Sequence, residues 1–151
     1  SAPSPPSSSP ASSSSASSSS APSPSTQPMP EDADLRAALR EVGLGELLGR
    51  LGPQGLDTEC EWSSVLSLGE QQRLAFARLL LARPRLAILD ESTSAMDMES
   101  EAMVYGLVQR AGCTCISVGH RPSLASYHHR VLRLSDGAWD LKEAAVRAHG
   151  S

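Results

Sequence analysis

Apolar and polar positions follow two different periods along this chain, and each change of period marks an element. From Glu31 onward, Leu35, Leu39 and Val42 recur at three- and four-residue spacing, the period of one helix face, and Gly43 is placed to end that helix. A short second helix is predicted over Glu46 to Leu51, broken by Gly52-Pro53. Gln54 to Val65 has no period and reads mostly as loop, with Trp62 as its large packing anchor. A long helix is predicted over Glu70 to Ala82. Ser67 is placed as its N-cap, and Glu70 three residues later gives capping-box spacing. Leu74, Ala77, Leu80 and Leu81 form its buried stripe, and Pro84 stops it. Leu86 to Leu89 is apolar throughout and ends in two acids, the pattern of a buried parallel strand. Met98 to Gln109 is again helical and Cys113 to Val118 is a second apolar strand, which completes a β-α-β unit. Val131 to Leu134 and Ala138 to Leu141 flank Ser135-Asp136-Gly137, a hairpin signal. The tail after Glu143 reads as a frayed helix, and no internal repeat is present.

Composition divides the 151 residues in two. Residues 1–30 hold 15 serines and 8 prolines and carry no charged side chain. They have no aromatic or β-branched apolar residue to offset the entropy of ordering, so they read as a flexible, disordered Ser/Pro/Ala linker or insertion. A transit peptide is the alternative, although such peptides usually carry arginine. Residues 31–143 form the folded unit and 144–151 the tail. The formal net charge is −4, which argues against a general nucleic-acid surface. No apolar run approaches the ~20 residues of a membrane-spanning helix. Three cysteines are too few for a disulfide framework, which favours a reducing compartment. Cys113 and Cys115 fall on one face of a buried strand and read as small hydrophobes; with His128-His129 they lack zinc-site spacing. Trp139, like Trp62, reads as a packing anchor. The chain does not begin with methionine, and it is expected to be an internal or C-terminal fragment.

Four segments carry candidate chemistry. Leu66 to Arg73 (LSLGEQQR) places Ser67 and Gly69 at a helix start, which is either an ordinary cap or a surface of free N–H groups suited to phosphate. Leu86 to Glu91 (LAILDE) sets Asp90 and Glu91 at the end of a strand, where ligands bind in open α/β sheets; the plain alternative is a pair of helix-capping acids. Ser94-Ala95-Met96-Asp97 follows. Gly119-His120-Arg121 follows the second strand, where a lone histidine is by itself more often a surface or core residue.

In this order the four segments resemble the signature motif, Walker B strand, D-loop and switch histidine of an ABC transporter ATP-binding domain. The resemblance covers about Leu35 to Leu141 and implies the C-terminal half of that domain. The implied fold is P-loop NTPase-like α/β with part of its helical subdomain. It implies that Asp90 holds Mg²⁺, that Glu91 orients and polarises the attacking water, and that His120 senses the γ-phosphate. Ser67, Gly69 and Glu70 then contact ATP held by the facing domain, and Asp97 lines the interface with it. Leu68 stands where the family commonly has glycine, Glu70 where it has glutamine, and Met96 where it has leucine. The string His120-Arg121-Pro122-Ser123-Leu124 with Tyr127-His128, together with Trp62 to Ser67 and the Ser135-to-Trp139 hairpin, looks like subfamily D. That group includes peroxisomal fatty-acyl carriers, a cobalamin-linked lysosomal member, plastid relatives and bacterial YddA/SbmA-like proteins.

The resemblance implies ATP and Mg²⁺ as cofactors, a second ABC ATPase domain and a transmembrane domain as partners, and no nucleic acid. It implies an ATPase that powers transport of a fatty-acyl or other lipid-like substrate across a plastid or peroxisomal membrane. One part is missing. Lys142 is the sole lysine and no G-x-x-x-x-G-K-[ST] phosphate loop occurs, so the chain alone is expected to be inactive. The rival readings are a soluble, non-transport ABC ATPase and a non-catalytic truncated interaction module.

Overall fold

A computed structural model describes residues 29–144. Helix α1 (Asp32–Glu41) buries Ala38 and Leu39, and Val42 at its end is fully enclosed. Gly43 then takes the left-handed conformation (φ 71°) that closes the helix. The short α2 (Leu47–Arg50) and a 3₁₀ turn (Gly55–Asp57) follow. The stretch expected to be loop contains one further helical turn, α3 (Trp62–Val65).

Helix α4 (Leu68–Ala82) starts where the Ser67–Glu70 spacing placed it. The Ser67 hydroxyl accepts from the Glu70 N–H (3.3 Å), and the Glu70 carboxylate accepts from the Ser67 N–H (2.9 Å). These two bonds satisfy donors that a bare helix start would leave unpaired. Arg83 in the left-handed region (φ 45°) and then Pro84 end it. Its deepest residues are Phe76 and Ala77, whereas the expected Leu74, Leu80 and Leu81 are only half-buried. The helix packs against both α1 and α5, so its inner face centres on Phe76, which meets Tyr105 edge-on at 6.2 Å.

Strand β1 (Leu86–Asp90) and strand β2 (Thr114–Val118) pair in parallel, Ala87 opposite Cys115, and α5 (Met98–Arg110) is the crossover. Only one face of this pair is covered. Ala87 and Leu89 join the core, while Leu86 and Ile88 are 52% and 71% exposed. Their neighbours Ile116 and Val118 share that open face. The expected burial of the whole strand is therefore corrected to burial of one side. A parallel strand is apolar throughout when both faces are covered, and the described residues cover one. The core continues through Val104, Tyr105 and Val108 of α5 to Tyr127, whose ring stacks on Tyr105 at 4.5 Å.

A 3₁₀ helix (Pro122–Tyr127) leads to the antiparallel hairpin β3 (Arg130–Ser135) and β4 (Ala138–Glu143). Asp136 and Gly137 both have positive φ (49° and 77°), as a tight two-residue hairpin turn requires. An open groove of about 1200 Å³ separates β2 from β3. The tryptophans are not packing anchors among the described residues. Trp62 is 37% exposed and Trp139 is 72% exposed. The helix expected after Glu143 lies outside the described residues, as does the tract up to Pro28.

Candidate active site

The site is built around the six residues that follow β1. Asp90 ends the strand with its side chain exposed. Glu91 donates its N–H to the Val118 carbonyl (2.9 Å), so it is still tied to the neighbouring strand. Its backbone is left-handed (φ 44°), a conformation that costs energy in a residue with a side chain and that collects at functional sites. That turn sends its carboxylate toward the loop after β2, where Oε1 lies 3.1 Å from Nδ1 of His120. Thus the acid and the histidine, 29 residues apart in sequence, meet at the end of the sheet. Both are open to a ligand: the histidine side chain is 79% exposed and the glutamate 46%.

Helix α4 reaches the same place. Gln72 donates from Nε2 to the Glu91 carbonyl (3.2 Å) and to the Ser94 hydroxyl (3.0 Å), and its Oε1 accepts from the Ala95 N–H (3.1 Å). Gly69 lies against the same segment. A Cβ there would stand 2.9 Å from the Ala95 carbonyl oxygen, so close approach is what requires glycine at this position. Ser67 caps α4, and Glu70 is held in place rather than free. Its Oε1 takes a hydrogen bond from Arg50 at 2.6 Å and its Oε2 one from the Ser67 N–H. The Arg50 bond first, and the Ser67 N–H second, lower its carboxyl to about 2. Arg50 also donates to the Val65 carbonyl (3.2 Å), which anchors the helix start to α3.

Asp97 is the N-cap of α5. Its carboxylate accepts from the Ser100 N–H (2.8 Å) and hydroxyl (3.1 Å), and these bonds hold it below the usual carboxylate range. Sequence reasoning missed a pair beside it. Glu101 is completely buried, and its Oε2 accepts from Arg121 (2.9 Å) and from the Thr93 hydroxyl (3.0 Å). The same Arg121 Nη1 donates to the carbonyls of Thr93 (2.9 Å) and Met96 (3.0 Å). A signal existed. Glu101 falls on the apolar stripe of α5 with Val104, Tyr105 and Val108, and a carboxylate there demands a buried cation.

Asp90 fits one part of a Mg²⁺ site. It is exposed at the strand end beside Glu91 and belongs to none of the ion pairs among the described residues. Cys115 is a different case: its Sγ is 4.0 Å from Nδ1 of His128, and burial pushes the thiol pKa up. No helix among the described residues is long and apolar enough to cross a membrane.

Comparison with known proteins identifies the family. ABC transporter D family member 2, chloroplastic, of Arabidopsis thaliana is 57% identical over 70% of this chain and 15% of its own length. An uncharacterized ABC transporter ATP-binding protein of Synechocystis is 48% identical over 78% of this chain and 18% of its own. The lysosomal cobalamin transporter of Mus musculus is 47% identical over 74% of this chain and 18% of its own. The chain therefore spans less than a fifth of these relatives. A bacterial Atm1-family ABC exporter, solved with ATP bound, superposes on 71% of this chain and 19% of its own, with TM-score 0.60 and 34% identity. The sequence pattern described as ABC transporter matches residues 8–94, more than half of the chain, which therefore belongs to the ABC transporter family and has its relatives among the D-family members.

Proposed function

We propose that the protein containing this chain hydrolyses ATP at Glu91 and uses that hydrolysis to move a fatty-acyl or other lipid-like substrate across an organelle membrane. The observation that carries the reading is the meeting of three segments at one point. The Glu91 carboxylate is on His120, its carbonyl is on Gln72 of α4, and its strand end carries Asp90. In this reading Asp90 would hold Mg²⁺, which would supply neutralisation of the phosphate charge. Glu91 orients a water and takes up its proton as the water attacks the γ-phosphorus and the bond to ADP breaks. His120 steadies Glu91 from one side and faces the γ-phosphate from the other.

Ser67 and Gly69 offer the start of α4 to nucleotide on a facing ATPase domain. Glu70 and Arg50 keep that start in shape, and Asp97 lies at the interface. Residues 31–143 serve as the C-terminal half of the ATPase domain, joined by residues 1–30 as a linker. The open face of β1 and β2 and the groove beside β2 then receive the rest of that domain. Because no phosphate loop with a lysine occurs in the 151 residues, the chain alone turns over no ATP.

The test uses the full-length protein, reconstituted in lipid. Glu91→Gln keeps the shape of the side chain and removes the carboxylate. The loss expected is about 10²-fold or more in kcat, with ATP still bound. Near-normal turnover by this variant would overturn the assignment.

A further inference from the structure

We propose that Arg121 is a positioning residue for ATP turnover: it clamps the backbone between Glu91 and Asp97 to the loop that carries His120. This rests on the reading that Glu91 and His120 form the hydrolytic site.

Three contacts of one guanidinium nitrogen, whose two N–H groups are shared among three acceptors, carry the proposal. Nη1 of Arg121 reaches the carbonyls of Thr93 and Met96 and the Glu101 carboxylate, all within 2.9–3.0 Å. Thr93 and Glu101 are buried, at 3% and 0% exposure, and Met96 is buried with them. Thr93 also binds Glu101 through its own hydroxyl. The segment from Thr93 to Met96 is thus fixed from beneath by a residue adjacent in sequence to His120. From above it is fixed by Gln72, on the Glu91 carbonyl, the Ser94 hydroxyl and the Ala95 N–H.

The chain of constraint is short. If Arg121 moves, its neighbour His120 and the two carbonyls move relative to one another. The 3.1 Å contact of His120 with Glu91 spans that same gap. A buried ion pair alone would be weak evidence of function, because such pairs are often replaceable by apolar residues without loss of stability. The carbonyl bonds are what set Arg121 apart. They do nothing that a Met–Leu pair could do, and they end on the backbone that leads from the hydrolytic acid to Asp97.

That difference supplies the experiment. In the full-length protein, Arg121→Met with Glu101→Leu removes both charges together, so neither is left buried and unpaired. Arg121→Lys keeps a cation for Glu101 but offers a single ammonium in place of the planar fork. Steady-state ATP turnover is measured for both, with folding checked by ATP binding to the whole protein. Misplacement of a catalytic group by about 1 Å can cost on the order of 10²-fold, so the expected loss in kcat is about 10- to 100-fold, with KM for ATP unchanged. Wild-type kcat in either folded variant would overturn the proposal. A double variant that fails to bind ATP leaves the decision to Arg121→Lys alone. If instead Glu91→Gln retains turnover, the underlying assignment of the hydrolytic site fails, and that outcome is separate from either Arg121 result.

Discussion

Replacing Gly69 by alanine sets two effects of opposite sign against each other, and the structure decides which wins. Gly69 is the second residue of α4 and its φ is not in the left-handed region, so nothing in its backbone requires glycine. By propensity alone, alanine in a helix interior is worth about 1 kcal/mol over glycine, and less so near an end. Against that, the new methyl would meet the Ala95 carbonyl oxygen at 2.9 Å. The obstacle is backbone, and it is not free to retreat. The Ala95 N–H is held by Gln72, and the flanking carbonyls of Thr93 and Met96 are held by Arg121. Forcing an extra methyl group into such a site costs about 1–3 kcal/mol. The clash therefore wins by up to about 2 kcal/mol, a factor of up to about 30 in the local open population. The assay is hydrogen exchange of the peptide covering residues 91–97 in nucleotide-free full-length protein. Exchange should be faster by that factor in Gly69→Ala, because the contact exists without ATP. Unchanged or slower exchange would refute the reasoning and leave approach of a phosphate as the only use for glycine there.

Two further outcomes follow from the geometry. The Glu70 carboxyl sits at about 2 in the folded chain against an ordinary 4.5, so its contribution to stability is complete above about pH 4.5 and is lost as pH falls toward 2. Asp97, which caps α5, is shifted in the same direction; acid titrations followed by exchange should therefore show Glu70→Gln removing the pH dependence at the α4 start while leaving that at the α5 start unchanged. Tyr105→Phe deletes a buried hydroxyl that lies 2.7 Å from the Ser117 hydroxyl, while the 4.5 Å stack on Tyr127 survives. A loss of about 0.5–1.5 kcal/mol is expected in denaturant titration, and a loss above about 3 kcal/mol would mean that the ring itself had moved.

Local chemistry was legible in the sequence and partnership was not. The Ser67–Glu70 spacing predicted the capping box because both partners lie within one turn of the same helix. Ser135-Asp136-Gly137 predicted the hairpin because its turn is a property of two residues' φ angles. The resemblance implied that Glu91 and His120 serve one γ-phosphate, but their 3.1 Å contact depends on the left-handed φ of Glu91, which no residue type announces. Glu101 and Arg121 were visible as residues and invisible as a pair. Their contact crosses 20 positions and the whole of β2, and spacing carries no information over that range. The tryptophans failed for the converse reason. Size predicts burial on average, and Trp139 at 72% exposure faces away from anything the described residues supply.

The exposed apolar residues and the buried polar ones lead to one physical argument. Leu86, Ile88, Ile116 and Val118 make a contiguous open face on the parallel pair, and Leu134, Trp139 and Leu141 are exposed on the hairpin beyond the groove. Water-exposed apolar faces of this kind mark an interface. The polar groups that a free-standing domain would place outside are instead spent inward: Glu101, Thr93 and Arg121 lock one loop from below, and Gln72 locks it from above. Among the described residues one face of the strands stays uncovered, while in the segment after β1 the N–H groups of Glu91, Ser94, Ala95 and Met96 and the carbonyls of Glu91, Thr93 and Met96 are all held. The strongest local restraint thus falls on the segment between Glu91, which meets His120, and Asp97, which caps α5, while among the described residues β1 and β2 are covered on one face alone.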